Sequence, residues 1–214
     1  AATSGLALTL RYNGVIVYDN NGIEDGTHGG YYDNSAGAVP DVNKPGLYEW
    51  YSMSNRSSAI FAGYFKLAAP VTFDEIIGYF DGNGNPQLRF DPANVYNRFR
   101  MNIWSDGPGG VPAVNSYTGN VFSSETIPGT FSYSPTQVAR VFSDGASAWI
   151  YRLVYRLSEP LTLPAGEYWF SHDVWTPDTE GSGQLLQLSG LGLRVRAVTR
   201  AVRPVPDGRV ILGR

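Results

Sequence analysis

Short alternations of apolar and polar residues, separated by glycine, proline, asparagine and aspartate, run along most of the chain. In segment 97–104 the apolar Phe99, Met101 and Ile103 alternate with polar residues, and segment 149–157 repeats the pattern. Because successive side chains on a strand point to opposite faces, a period of two predicts half-buried strands. No long window carries a capped apolar stripe of helical period. We therefore expect about ten to twelve strands and at most one helical turn.

The N-terminal segment predicts a hairpin. Leucines alternate with other residues between positions 6 and 10, and a β-branched run begins at Val15. Between these runs stand Asn13 and Gly14, which readily adopt the positive φ that a two-residue hairpin turn requires. From about residue 19 to residue 57, Asn, Asp, Gly and Tyr occur with little periodicity. That stretch predicts a long surface loop.

Many short strands joined by glycine and proline turns predict an all-β chain, folded as an antiparallel two-sheet β-sandwich or jelly roll. With 214 residues, the chain is long enough to bury a core without disulfides, and it contains no cysteine. We expect one domain over residues 1–214. A division into two domains, with a break between Asp41 and Pro45, is the alternative.

Composition removes several classes of function. The chain has 16 basic and 19 acidic residues and a net charge of −3, so a nucleic-acid partner is not expected. No apolar run approaches the roughly 18 residues of a transmembrane helix. The absence of cysteine excludes thiolate zinc sites and cysteine nucleophiles. The small residues at 1–5 are typical of a mature end after signal cleavage, so we expect a secreted protein at the cell surface.

Three motifs are spread over about half of the chain. They are Phe65-Lys66-Leu67-x-x-Pro70-Val71-Thr72, the run 101–112 (MNIWSDGPGGVP), and Leu161-x-Leu163-Pro164-Ala165-Gly166-Glu167-Tyr168-Trp169-Phe170. In these motifs the chain resembles the β-sandwich domain of secreted bacterial PEP-CTERM proteins, which carry exosortase-type sorting signals. The sorting tail of that family is not present in the sequence. The resemblance implies a secreted, cell-surface or matrix protein and implies no catalytic residue.

Catalytic candidates are few. Ser171, His172 and Asp173 are adjacent, but neighbours on a strand point to opposite faces and do not build a triad. His172 and His28 are expected to be hydrogen-bonded residues near a strand end or in a loop. Glu167, which follows a turn, is a candidate for one carboxylate of a glycosidase pair. We predict that the protein is not an enzyme, with a glycan-degrading enzyme as the remotest alternative.

Two loops rich in side-chain oxygens are candidate calcium sites, because calcium takes oxygen ligands and needs neither histidine nor cysteine. The first loop departs from the EF-hand pattern, and ordinary turns remain the alternative for both. The candidate ligands are Asp81, Asn83, Asn85 and Asp91 in one loop and Asp19, Asn21, Glu24 and Asp25 in the other.

Aromatic residues in or beside loops are candidate sugar-binding rings, because a ring face packs on the C–H groups of a pyranose. The alternative is that these rings fill the core. The candidates are Tyr31, Tyr32, Trp50, Trp104 and Trp175.

Our leading interpretation is a non-catalytic extracellular structural protein that forms a surface layer, filament or matrix with copies of itself. Its subunits would join through sheet edges, since an exposed strand edge presents main-chain groups to a partner. The apolar, arginine-flanked segment 191–200 and the terminal segment 202–214 are candidate edges. The alternative is a carbohydrate-binding module, with polysaccharide as the partner.

Overall fold

A computed structural model describes residues 5–20, 24, 31–32, 48–52, 62–81, 98–114, 118–141, 147–175, 189–193, 200–202 and 211–213. These residues form strands, turns and short connections and no helix, so no helix among them is long enough to cross a membrane. The strands are β1 (Gly5–Leu6), β2 (Thr9–Tyr12), β3 (Val15–Asp19), β4 (Tyr31–Tyr32), β5 (Tyr48–Ser52), β6 (Gly63–Leu67), β7 (Val71–Asp81), β8 (Arg98–Gly107), β9 (Val111–Pro112), β10 (Phe122–Ser123), β11 (Gly129–Val141), β12 (Ser147–Leu163), β13 (Gly166–Trp175), β14 (Ser189–Leu193), β15 (Arg200–Val202) and β16 (Ile211–Gly213).

The larger sheet has nine strands arranged around β7. On one side β7 pairs with β12, which is followed by β11 and β4. On its other side β7 pairs with β2 and β14, and β3 and β5 lie beyond these two strands. Strand β1 pairs with β14. The pairing is antiparallel except between β4 and β11.

The smaller sheet has five strands in the order β10-β8-β13-β6, with β9 pairing to the end of β8. Its inner face packs against the inner face of the larger sheet. Aromatic pairs join the two sheets across this core: Phe80 of β7 lies 5.4 Å from Phe99 of β8 between ring centroids, and Phe122 of β10 lies 5.6 Å from Tyr155 of β12. The predicted all-β sandwich is thereby confirmed, and each large apolar side chain it buries contributes about 1.5–3 kcal/mol.

The predicted N-terminal hairpin is present as β2 and β3. Asn13 and Gly14 form its turn with φ of 49° and 79°. These positive values explain why an asparagine and a glycine stand there. Asn20 extends the pairing, because its side-chain Oδ1 accepts the backbone amide of Leu8 at 2.8 Å and its backbone amide donates to the Leu8 carbonyl at 3.3 Å.

Strand β8 is buried on both faces, so the prediction of a half-buried strand is wrong for this segment. Met101 and Ile103 point into the core, and the side chains between them are buried as well. The loop before β10 covers part of that second face. Asn102 Oδ1 accepts the Gly119 amide at 3.0 Å, and Trp104 Nε1 donates to the Thr118 carbonyl at 3.2 Å.

Two other expectations are corrected, and β12 is longer than the alternation at 149–157. Strands β4 and β5 lie within the segment 19–57 that was predicted as a loop. Strand β12 continues through Pro160, because an irregularity in its pairing with β7 between Arg156 and Leu161 accommodates a residue that has no amide hydrogen. Residues 191–193 of the candidate edge 191–200 lie in β14, which is not an edge, since it pairs with β5 on one side and with β7 and β1 on the other.

Candidate functional site

The predicted calcium ligands are only partly within the described residues. Asp81 ends β7, Asp19 ends β3, and Glu24 accepts a hydrogen bond from Arg152. The other candidates lie outside the described ranges; they are Asn83, Asn85, Asp91, Asn21 and Asp25. Asp19 Oδ1 accepts a hydrogen bond from Thr9 Oγ1 at 3.2 Å. Within the described ranges, no three His, Asp or Glu side chains are placed to hold a metal ion. Calcium binding therefore stays a prediction.

The structure corrects one of the candidate sugar-binding rings. Trp104 is fully buried on the outer face of the smaller sheet, clustered with Ala62 and Trp169, so it presents no ring face to solvent. Tyr31, Tyr32, Trp50 and Trp175 lie in strands β4, β5 and β13, and their side chains are outside the described part. Sugar binding through those four rings stays a prediction.

The residues considered for catalysis do not share a site, because Ser171 and His172 point to opposite faces of β13 and Glu167 pairs with Lys66. Ser171 and His172 are both buried in β13, where Ser171 pairs with Asn102 and His172 with the inward-pointing Met101. Neither ring nitrogen of His172 has a hydrogen-bond partner in the described part, which corrects the expectation of a hydrogen-bonded histidine. Glu167 forms an ion pair with Lys66 at 3.3 Å. His28 lies outside the described residues.

A polar cluster lies on the outer face of the larger sheet, around Tyr79. The Tyr79 hydroxyl donates to Glu24 Oε1 at 3.2 Å and lies 3.0 Å from Thr9 Oγ1. The same Glu24 oxygen accepts Arg152 Nε at 2.6 Å. Burial, and next the negative charge of Glu24, raise the pKa of Tyr79 well above its usual 10. These contacts join Glu24, which lies outside the sheet, to strands β7 and β12 directly and to β2 through the Tyr79 hydroxyl.

A second cluster on the same face is built around Glu75. Its side chain is almost fully buried, and Oε1 accepts hydrogen bonds from Nε and Nη2 of Arg156. Arg11 Nη1 lies 3.7 Å from the other carboxylate oxygen. Because Arg11, Glu75 and Arg156 belong to β2, β7 and β12, this cluster ties together three neighbouring strands.

Beside these clusters, the β2–β3 hairpin exposes an apolar surface. Four of the five large hydrophobic side chains that are exposed in the described part belong to it, and we call them the hairpin patch. Val15 is 65% exposed, and Tyr12, Ile16 and Val17 are 36–38% exposed. Tyr12 pairs with Val15 and Arg11 pairs with Ile16, so Ile16 lies on the opposite face of the hairpin from Tyr12 and Val15, and exposed apolar side chains flank the edge on both faces.

Strand β3 is an edge of the larger sheet in the described part, where it pairs with β2 alone. Its register with β2 shifts between Leu10 and Arg11, so that Val17 is the extra residue of a bulge. Tyr18, one residue further on, packs against Phe65 of the core at 5.6 Å between ring centroids. The exposed part of the edge is therefore Val15 to Val17.

The polar groups next to the hairpin patch are bonded within the molecule. Arg11 donates from Nε and Nη2 to the Gly14 carbonyl at 3.1 and 2.6 Å. The Asn13 amide donates to Asp74 Oδ2 at 3.1 Å. These bonds fix the turn and leave the apolar side chains facing outward. Sequence reasoning found this hairpin but not its exposure, although three successive β-branched residues at 15–17 were the available signal.

Comparison of the chain with models of known protein families, with curated proteins and with solved structures finds no match.

Proposed function

We propose that the protein is a non-catalytic extracellular building block that assembles with copies of itself into a surface layer, filament or matrix. The observation that carries the proposal is the hairpin patch at the edge strand β3. A strand edge offers main-chain donors and acceptors, and exposed β-branched side chains next to it add apolar area. A second copy of the chain is the occupant that this surface favours.

The patch suits a contact between two identical surfaces. Val15, Ile16 and Val17 carry no charge, and the nearby Arg11 is already bonded to Gly14 and Glu75. Two hairpins related by a two-fold axis would therefore meet without repulsion between like charges. The bulge at Val17 interrupts the regular ladder, so apolar side chains contribute more to this contact than a long run of main-chain hydrogen bonds.

The size of the patch indicates a weak contact. Four partly exposed side chains provide a few hundred Å², less than the roughly 800 Å² per partner of a stable pair. A two-fold contact joins only two copies, so growth into a layer or filament also requires a second contact elsewhere on the subunit. Weak contacts of both kinds, repeated along the array, hold it together through multivalency.

The location outside the cell is supported by the three motifs that resemble PEP-CTERM proteins. In the structure these motifs cover the β6–β7, β8–β9 and β12–β13 connections. In the β8–β9 connection Gly109 and Gly110 have φ of 85° and 69°, and in the β12–β13 connection Tyr168 donates from its hydroxyl to the Pro164 carbonyl at 2.9 Å. The three motifs therefore form connections between strands of the sandwich. Fractionation of producing cells tests the location, and protein confined to the cytoplasm would contradict it.

Size-exclusion chromatography with light scattering over a wide range of concentrations tests the assembly. We expect the mass of the wild-type protein to rise with concentration. The double variant Val15→Lys/Val17→Lys should stay monomeric, because two buried charges would repel across the contact. Val114→Lys is the matched control, since Val114 is the exposed large apolar residue outside the hairpin in the described part, and it should behave like the wild type.

Two outcomes would contradict the proposal. If the wild-type protein remains monomeric at millimolar concentration, the chain does not assemble with copies of itself. If association persists unchanged in the lysine double variant, the hairpin patch is not the contact surface. Electron microscopy of concentrated wild-type protein distinguishes a closed dimer from the filament or layer that we expect.

A further inference from the structure

His172 is a titratable residue inside the apolar core. It lies on the inner face of β13 with 3% of its surface exposed. Its ring faces the larger sheet so closely that a Cβ added to Gly78 of β7 would lie 2.6 Å from Cδ2 of the imidazole. The Phe170 ring lies 5.6 Å from the imidazole between centroids. The histidine therefore occupies the narrow space where β13 and β7 meet.

Neither nitrogen of this imidazole has a hydrogen-bond partner in the described part of the chain. A neutral imidazole has one N–H donor and one acceptor nitrogen, and burying both without partners is unfavourable. Protonation would add a second donor and a positive charge in the same apolar space, which is more unfavourable still. The site therefore accepts only the neutral ring, and accepts even that form at a cost in stability.

Among the side chains that the structure describes, the strands around His172 provide no opposite charge to stabilise an imidazolium. The titratable residues that point into the core from the opposing β12 are Tyr151 and Tyr155, and the Tyr155 hydroxyl donates to the Ile127 carbonyl at 2.5 Å. On β13 itself, Tyr168 donates to Pro164. Four described charged side chains of β7, β8 and β12 belong to outer-face ion pairs; they are Glu75, Arg100, Arg152 and Arg156. Of the other three, Asp74 accepts the Asn13 amide, Asp106 accepts Trp169 Nε1, and Glu159 is exposed.

We propose that His172 makes the packing of the two sheets sensitive to mild acid, so that acid favours a state in which the sheets separate and the imidazole reaches water. Burial lowers the pKa of His172 from its usual 6.5 to about 4. Between these values the unfolded chain binds a proton that the folded chain excludes. The free energy of unfolding is therefore unaffected by His172 protonation above about pH 6.5. It falls as the pH drops from 6.5 towards 4, and the loss is complete below about pH 4. The inference does not depend on the assembly proposed above.

Urea unfolding at pH 7.5 and pH 5.5 tests the proposal. For a pKa that changes from 6.5 to about 4 on folding, the unfolding constant of the wild type should rise about tenfold between these two values. His172→Met should remove that rise, because methionine fills a similar volume and does not titrate. His28→Gln is the matched control, since His28 is the other histidine of the chain, and it should keep the tenfold rise. A tenfold rise that persists in His172→Met would overturn the proposal.

A second measurement needs no variant at position 172. The ring signals of His172, followed by NMR in the folded wild-type protein and assigned with His28→Gln, should show no titration between pH 7.5 and 5.5. A midpoint near pH 6.5 in the folded state would overturn the proposal even if His172→Met does not fold.

Discussion

The imidazole of His172 occupies the space that a side chain at position 78 would need, since a Cβ on Gly78 would lie 2.6 Å from the ring. Real Cβ atoms essentially never approach another atom so closely, so the contact requires glycine at this point of β7. The reason is packing and not backbone conformation, because Gly78 is not among the glycines with positive φ.

Gly78→Ala should therefore destabilise the protein by about 1–3 kcal/mol, the usual cost of overfilling a packed core. The measurement is the free energy of unfolding in urea at pH 7.5. Gly166→Ala is a suitable control, because an added Cβ there would lie 3.2 Å from the Tyr168 hydroxyl and should cost less. Combining Gly78→Ala with His172→Ala should restore part of the loss, and strictly additive effects would contradict a direct clash.

Glu75→Gln should lower the free energy of unfolding by about 1–3 kcal/mol, because it weakens charge-assisted bonds from Arg156 to a buried carboxylate. Glu167→Gln is the matched control. Its ion pair with Lys66 is exposed, and exposed pairs contribute about 1 kcal/mol or less. Urea unfolding compares the two variants, and equal losses would show that burial of Glu75 does not strengthen its cluster.

Tyr79→Phe should cost about 1 kcal/mol at pH 7.5 by removing the hydroxyl between Glu24 and Thr9. The difference should shrink as the pH rises above 10. Because the pKa of Tyr79 is raised in the folded state, the wild type loses stability when the tyrosine ionises in the unfolded chain, and the phenylalanine variant does not. Urea unfolding at pH 9 and pH 11 measures this. Tyr12→Phe, at an exposed position, should show no such change.

Gly14→Ala should destabilise the hairpin by about 1 kcal/mol. No atom lies within 4 Å of the added Cβ, so the cost comes from the φ of 79° alone. Asn13→Gly should stay within a few tenths of a kcal/mol of the wild type, since glycine also accepts the φ of 49° found there. Thermal unfolding of the two variants is the measurement. A fully stable Gly14→Ala protein would contradict the observed turn.

The sequence predicted the turn and the strand whose structure depends on neighbouring residues alone. The β2–β3 turn follows from two adjacent residues, Asn13 and Gly14, and the alternation in 149–157 follows from the two faces of β12. Strands β4 and β5 escaped prediction because they are short and pair with β11 and β14, more than one hundred residues away along the chain. Their residues carry no local pattern that identifies these partners.

The features of the candidate sites were harder to predict, because they depend on contacts between distant segments. The burial of Asn102 and Trp104 depends on the segment at 118–119, whose carbonyl and amide meet them. The isolation of His172 depends on Gly78 in the opposite sheet. The exposure of Val15 and Val17 depends on β3 being an edge, whereas residues 191–193 of the candidate edge 191–200 are enclosed by neighbouring strands on both sides.

Strand β12 has a mechanical consequence. Its seventeen residues span about 55 Å at roughly 3.3 Å per residue, and it is paired with β11 and β7 over most of that length. A force pulling along this strand would load its ladder hydrogen bonds in shear, many at once, so that no single bond bears the tension. A subunit held by such a strand resists stretching along it, which is the property that a layer or filament under tension needs from each subunit.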